Sequence, residues 1–544
     1  MRRRGFLASA AAVTAGASIG SLISEGAASA SVSGCVVDPH VDKRRLRGVW
    51  LATVTNIDWP LAAGTPAAEQ QAALVDWLDF AEGQRHNAVF FQVRPTADSF
   101  WPGAREPWSR YLTGTQGVDP GYDPLGLAVA EAHKRNLELH GWFNPFRVSM
   151  DTDISRLVPS HPARLHPDWV VAYGGKLYYN PGLPEVRSFC IAAIMDAVRK
   201  YDIDGVHFDD YFYPYPVAGQ VFDDADEYAR YGNGRTLADW RRDNINKLIL
   251  GLRAAIKKAK PWVKFGVSPF AVWRNIATDP LGSNTTAGAQ TYDDLYADTR
   301  RWVREEWIDY IAPQVYWAQG FTPADYNVLV PWWADQVRGR DVHLYIGQAT
   351  YKIGTSIQSP DWSDPQEMSD HLAFNSGVPE VDGDIYFSAK DVRADRLGAT
   401  TLLNGAWYSR EALVPTMPWL DSKAPAPVTD LTISRVDGQN TIRWRAADKG
   451  TTAFTVYRVP GDRKGPVDPC VLADARYLLG TQRRTGLGSQ QFVDGAPVAG
   501  HRYVVTALDR LWNESRPRGV VAPGRQRAVS AEVPLPRRWR APAG

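Results

Sequence analysis

The sequence predicts a closed (β/α)8 TIM barrel followed by a small all-β sandwich, and three observations carry that reading. Between Leu46 and Trp407, eight short, near-continuous apolar runs alternate with amphipathic helical stretches, the pattern of parallel strands buried on both faces. No Gly-rich phosphate loop follows the first run, which removes the main support for an open doubly wound sheet. Beyond the Pro-rich stretch Pro415 to Pro427 the texture changes to short alternating runs separated by turn residues, as in a sandwich.

Taken in order, the first strand is placed at Leu46 to Thr53, with the loop Thr55 to Pro60 after it. Thr65 is expected to cap the next helix, with Pro66 at its first position and Leu74, Trp77, Leu78 and Ala81 on its buried face. The remaining strands are placed at Ala88–Val93, Leu137–Phe143, Gly205–Asp210, Lys264–Pro269, Asp309–Val315, His343–Ala349 and Asp384–Ser388. Helices are expected at Pro124–Arg135, Ile191–Tyr201, Trp240–Lys258, Asp293–Glu306 and Asp391–Asn404. The span exceeds the roughly 250 residues of a minimal barrel, so long loops are expected at the strand C-termini, where such a barrel keeps its function.

The domain organisation follows: 1–30 an export signal, 31–43 a linker, 44–412 the barrel, 413–427 a Pro-rich linker, 428–522 the sandwich and 523–544 a Pro- and Arg-rich disordered tail. Arg3-Arg4-Gly5-Phe6-Leu7, an Ala-rich run to Ile23 and the small residues Ala28-Ser29-Ala30 resemble a twin-arginine export signal. Val32 to Cys35 has something of a lipobox, but Glu25 and several polar residues separate it from the apolar run, so export without a lipid anchor at Cys35 is the expectation. No later stretch has the approximately 18 apolar residues of a membrane helix. The three cysteines, Cys35, Cys190 and Cys470, imply no disulfide framework.

Composition narrows function. The chain has 61 basic and 60 acidic residues, and loss of Arg2, Arg3, Arg4 and Glu25 with the signal leaves a net charge of −1, which does not suggest a nucleic-acid binder. Its 21 Trp and 23 Tyr suit a large core or a sugar-stacking groove. Neither HExxH, a Cys/His metal spacing nor a Gly-x-Ser-x-Gly elbow occurs, so no metal or cofactor is called for.

The stretch Asp204 to Pro214 is the organising element, a short strand that ends in two carboxylates and a run of rings. Pro214 and Pro216 delay any helix, which weakens the reading of Asp209 and Asp210 as an N-cap. In a barrel the strand ends share one mouth. They would bring Asp58 and Trp59 from the first strand's loop, Gln92, Arg94, Asp98 and Trp101 from the second, and Asn144 and Arg147 from the third. The fourth adds His207, Asp209, Asp210 and Tyr211, the fifth Ser268 and Trp273, and the sixth Gln314, Tyr316 and Trp317. Gln348, Tyr351, Ser388 and Lys390 come from the last two. Amides and rings with few carboxylates describe a pocket for a neutral polyhydroxylated ligand. Singly, Gln314 and Asn144 also read as structural hydrogen-bonders and Trp101 or Trp317 as core; the case is collective.

Glycoside hydrolysis uses two acids. On a continuing strand Asp209 and Asp210 would face opposite sides, one toward the mouth and one orienting a neighbour. The second acid is then Asp58 or Asp98, or none, with a substrate N-acetyl group as nucleophile.

The stretches LRGVWLATVTNIDWP from Leu46, FFQVRPTADSFWP from Phe90, HGWFNPFRVS from His140, DGVHFDDYFYPYP from Asp204, FGVSPFAVWRN from Phe265, YIAPQVYW from Tyr310 and IYFSAK from Ile385 resemble the glycosyl-hydrolase-like family 10 proteins of bacteria, exported (β/α)8 barrels. The resemblance implies glycosidase activity on amino-sugar polymers, some members acting on cell-wall glycan strands. The acid pair resembles that of poly-N-acetylglucosamine hydrolases, while DGVHFD parallels a strand-four pattern of chitinases and amylases; these place the acid one residue apart, so Asp209 and Asp210 stand as joint candidates. The sandwich resembles a fibronectin type III module, with Trp444 at its core position, Tyr503 to Asp509 as a late strand and Asp462 to Arg484 as an insertion. The expectation is thus an exported glycosidase of an N-acetylated glycan, peptidoglycan first, with cell-wall association through the C-terminal module. The alternative is a non-catalytic cell-wall glycan-binding protein on the same scaffold.

Overall fold

The computed structural model describes residue 35 and residues 37–461, 465–486 and 488–521. The export signal and the Pro- and Arg-rich tail therefore lie outside the described residues. Eight parallel strands close into a barrel: β1 Leu46–Leu51, β2 Ala88–Arg94, β3 Glu138–Phe143, β4 Gly205–Phe208, β5 Lys264–Val267, β6 Tyr310–Ile311, β7 His343–Gln348 and β8 Val381–Tyr386. Neighbours follow chain order, and β1 closes on β8 with Leu46 opposite Gly383 and Val49 opposite Tyr386. Nearly every residue of these strands is buried, as expected where helices cover one face and ring-filled layers the other.

The helices differ from expectation in instructive ways. The first runs Ala67–Gly83 with Pro66 as its N-cap residue; Thr65 does not cap it, because its hydroxyl turns back to donate to the Ala62 carbonyl. Pro184–Lys200 and Leu237–Ala259 are long and continuous. The stretch expected as one helix at 391–404 is broken into Ala389–Ala394, a single turn and Ala399–Ala406, because Asp395, Leu397 and Gly398 all adopt positive φ. The stretch 293–306 likewise divides into Thr291–Asp294 and Thr299–Arg304. After β3 the chain makes an excursion, a small antiparallel sheet of Arg147–Ser149, Val170–Tyr173 and Lys176–Tyr179 that walls one side of the barrel mouth.

The C-terminal region is a two-sheet sandwich. Its strands are β9 Thr429–Val436, β10 Gln439–Arg445, β11 Ala453–Pro460, β12 Leu478–Arg483, β13 Gln490–Asp494, β14 His501–Leu508 and β15 Arg518–Val521. One sheet has the order β9-β10-β13 and the other β12-β11-β14-β15. Trp444 is fully buried between them and packs on Phe454.

The sandwich seals the bottom of the barrel, the end opposite the mouth. Leu46, Ala88, Tyr310 and Tyr345 share one apolar cluster with Tyr457, Val504, Leu508 and Trp512. Trp512 Nε1 donates to Glu138 at the start of β3 (2.7 Å), and Arg510 pairs with Asp202 (2.9 Å). Parts of both segments expected as linkers are packed into this seam: Leu413, Val414 and Met417 are buried, and Lys43 pairs with Glu514. Two of the three cysteines are joined across it, Cys35 to Cys470, where the sequence implied no pairing. A bridge 435 residues long in sequence leaves no local spacing signal.

Candidate active site

Because β4 ends at Phe208, Asp209 and Asp210 lie beyond the pleat, and the alternation expected for a continuing strand does not apply to them. Both carboxylates line one cleft at the barrel mouth, together with Trp50, Gln92, Trp142, Arg147, Tyr211, Ser268, Gln314, Tyr316 and Phe387. Asp209 is 5% and Asp210 8% exposed.

Their surroundings divide the two acids. Asp209 accepts from the Asn144 side-chain amide and from the Tyr211 backbone N–H (3.2 Å). Burial first, and then the charge of Asp210, push its pKa up to about 7. Asp210 accepts from the Tyr215 hydroxyl and from Gln314 Nε2 (3.2 Å); burial raises its pKa too, against the pull of these donors. Two carboxyls this close shed their protons one after the other. Burial of both groups and the charge of Asp210 beside Asp209 therefore hold a proton in the pair toward neutrality. Arg147 lies 5.1 Å over the Tyr211 ring, and its positive charge draws both carboxyl pKa values down.

The sequence-derived candidates sort into three groups. Gln92, Tyr211, Gln314 and Tyr316 line the cleft with the acid pair. Asn144 and His207 stand immediately behind it. Asn144 takes a hydrogen from Gln92 (2.7 Å) and gives one to Asp209, and His207 lies under the floor, accepting from the Trp50 indole (3.0 Å).

The third group is built into the scaffold. Asp58 clasps the first and last strand ends, accepting from Ala52 N (2.7 Å), Ser388 Oγ (2.7 Å) and Lys390 N (3.0 Å), and burial raises it to about 6. Trp59 is core, donating to the Gln70 carbonyl. Arg94 forks onto Glu106 (2.6 Å), and Asp98 holds the Thr96 turn. Trp317 packs on Phe270 and Gln348 bonds Tyr326 and Asp384, while the Lys390 side chain is exposed. Neither Asp58 nor Asp98 is therefore presented as a second acid.

Trp50, Trp142 and Phe387 were hidden among apolar strand residues that read as core. The available signal was parity: Trp142 lies two residues before Asn144 and so shares its inward side. Tyr215 belongs to the aromatic run after the acids, where the periodicity of a strand no longer assigns faces.

Comparison with known proteins identifies the family. The family described as Glycosyl hydrolase-like 10 matches residues 45–364. Glycosyl hydrolase YngK of Bacillus subtilis (strain 168) is 48% identical over 483 residues, which covers 87% of this chain and 92% of the relative. Glycosyl hydrolase DigH of Escherichia coli (strain K12) is 43% identical over 363 residues, 63% of this chain and 82% of the relative. Among solved structures, the PgaB (BpsB) glycoside hydrolase domain from Bordetella bronchiseptica aligns with a TM-score of 0.46 and 14% identity, over 67% of this chain and 98% of that one. The extent of the family match and the identity to the Bacillus subtilis relative assign the chain to one family: it belongs to the glycosyl hydrolase-like 10 proteins.

Proposed function

We propose that the protein is an exported glycoside hydrolase that cleaves an N-acetylated amino-sugar polymer, the glycan strands of peptidoglycan. The observation that carries this reading is the acid pair at the end of β4, buried so that it holds a proton toward neutrality, in a cleft walled by aromatic rings and amides. Asp209 holds the proton that a departing sugar oxygen needs. Among the described residues no other carboxyl lines the cleft, so the attacking group is assigned to the substrate's own acetamido oxygen. Asp210, as a carboxylate, accepts the acetamido N–H and stabilises the positive charge that develops on that group as it attacks.

Export is supported by the Cys35–Cys470 disulfide, since such bonds persist in oxidising compartments. A sulfur engaged with Cys470 is not available to a lipid, which favours an unanchored protein. The order of the seven sandwich strands supports a fibronectin type III-like module. Its seat at the barrel bottom keeps it away from the cleft, so any wall association through it acts on the whole protein rather than on the reacting sugar.

The test is release of reducing ends from peptide-stripped peptidoglycan by the wild type, Asp209→Asn and Asp210→Asn, with binding to the same glycan followed in parallel. Loss of cleavage with binding retained supports the assignment. A wild type that binds but releases nothing from this glycan, chitin or α-glucans makes it a glycan-binding protein.

A further inference from the structure

A chain of polar atoms runs along the barrel axis from the sandwich to the cleft floor. At its base the Glu138 carboxylate receives the Lys264 ammonium and the Trp512 indole N–H on Oε1, while Oε2 faces His140 Nε2 at 2.9 Å. His140 Nδ1 lies 3.0 Å from the Tyr310 hydroxyl, which lies 3.1 Å from His207 Nδ1. At the top, Trp50 Nε1 donates to His207 Nε2 (3.0 Å). The rings fit only because glycines face them: a Cβ at Gly205 would lie 2.3 Å from His140 Nδ1, and one at Gly266 would lie 2.1 Å from the Tyr310 ring.

Where each imidazole carries a single hydrogen, the two ends fix the direction of every hydrogen between them. An indole N–H only donates and a carboxylate only accepts. His207 Nε2 therefore carries a lone pair and Nδ1 carries the hydrogen, which goes to the Tyr310 oxygen. The Tyr310 hydrogen goes to His140 Nδ1, and the His140 Nε2 hydrogen goes to Glu138. Each atom of the chain is used once, and His207 has no second acceptor to give.

That accounting matters for the other indole of the floor. Trp142 stands edge-on to His207, with ring centroids 6.5 Å apart, and lines the same cleft. Its Nε1–H is buried and makes no hydrogen bond within the protein. A buried donor without a partner is costly; among the described residues the indoles of Trp262, Trp362, Trp419 and Trp444 share this state, and of the five Trp142 alone lines the acid cleft. A donor-only group suits an acceptor-only oxygen. A sugar hydroxyl both donates and accepts, whereas an amide carbonyl only accepts.

We propose that the Trp142 indole N–H is a subsite for the acetamido carbonyl oxygen of the sugar in the cleft, and that the His207–Tyr310–His140 chain keeps it available by consuming the Trp50 N–H and offering no acceptor of its own. The inference rests on the reading of the cleft as a glycosidase site and deepens it. The two halves of one amide are then read separately, the carbonyl by Trp142 and the N–H by Asp210. His207, Tyr310 and His140 act as positioning residues.

The experiment uses full-length, non-cleaving Asp209→Asn protein with 15N-labelled Trp and His, titrated with chitotetraose, with cellotetraose, which lacks acetamido groups, and with a peptide-free muramyl tetrasaccharide. The Trp142 indole resonance is assigned by its loss in Trp142→Phe. Chitotetraose is expected to move that resonance downfield while cellotetraose leaves it in place, and Trp142→Phe should weaken chitotetraose binding by about fivefold. Chitotetraose binding that leaves the Trp142 resonance still, with affinity unchanged in Trp142→Phe, overturns the proposal and spares the glycosidase reading. Failure of all three sugars to bind overturns both. The indole shift is read on unaltered Trp142, so a poorly folding Trp142→Phe does not decide the outcome. His207 found protonated on Nε2 instead of Nδ1 would also overturn the chain's polarity.

Discussion

Replacing Asp209 by asparagine should abolish cleavage and, above neutrality, make the protein more stable. Burial and the neighbouring charge of Asp210 raise the Asp209 carboxyl from 3.8 to about 7. The folded-state value thus lies above the unfolded one. In that direction the carboxyl's contribution to stability is complete below the unfolded pKa and is lost as pH rises through the folded one. The wild type gives up about 1.4 kcal/mol per pH unit across that window, so a rise of about three units sets a ceiling of about 4 kcal/mol by pH 8. Asparagine has no proton to lose. Its single oxygen can serve Asn144 or the Tyr211 N–H but not both as well as a carboxyl does, a loss of about 1 kcal/mol. Asp209→Asn is therefore expected to be about 3 kcal/mol more stable than wild type at about pH 8 and no more stable at about pH 4. Urea unfolding at the two pH values, with reducing-end release measured on the same samples, checks this. An equal difference at both pH values would refute the placement of a titrating proton on Asp209, and retained cleavage would refute its role as the acid.

The alkaline limb of kcat/KM should fall near pH 7, and Arg147→Met, which removes the charge that draws both carboxyls down, should move it up by about one unit; a limb that stays put would remove Arg147 from the electrostatics of the pair. Cys470→Ser should lower the denaturation midpoint through a loss of about 2–4 kcal/mol while leaving turnover at room temperature intact, because the bridge lies at the barrel bottom; lost turnover would contradict that placement. Gly266→Ala should cost about 3 kcal/mol, since the added methyl meets the Tyr310 ring at 2.1 Å; an unchanged melt would show that the axial layers yield more easily than their packing implies.

The barrel was legible because its strands are buried on both faces and read as apolar runs in the right number and order. The mouth was less legible. Strand-end position brought Gln92, Asn144, Gln314 and Tyr316 to the acids or next to them, but the same logic put Asp58, Arg94 and Asp98 there. Those three spend their hydrogen bonds on closing loops, and nothing local distinguishes a polar side chain that faces a ligand from one that ties down a turn. Parity, which holds on a continuing strand, does not apply at Asp209 and Asp210 because the strand is four residues long and ends before them. The helix expected at 391–404 shows the converse case, where apolar spacing persisted across Asp395 and Leu397 although their backbone turned left-handed. The disulfide and the burial of Leu413 to Met417 depend on contacts between distant parts of the chain, which no window of sequence contains.

The sandwich's seat against the barrel also bears on how such a protein can be rearranged. A module strung on a flexible connector can be gained, lost or exchanged by recombination at the connector. Here the start of the connector, Leu413 to Met417, is itself packed into the core, and Trp512 supplies a hydrogen bond to Glu138 at the foot of β3. Cutting at the Pro-rich segment would leave the barrel with an open, apolar base. In this chain barrel and sandwich therefore form one packed unit, and the loops at the mouth can lengthen or change without disturbing that base.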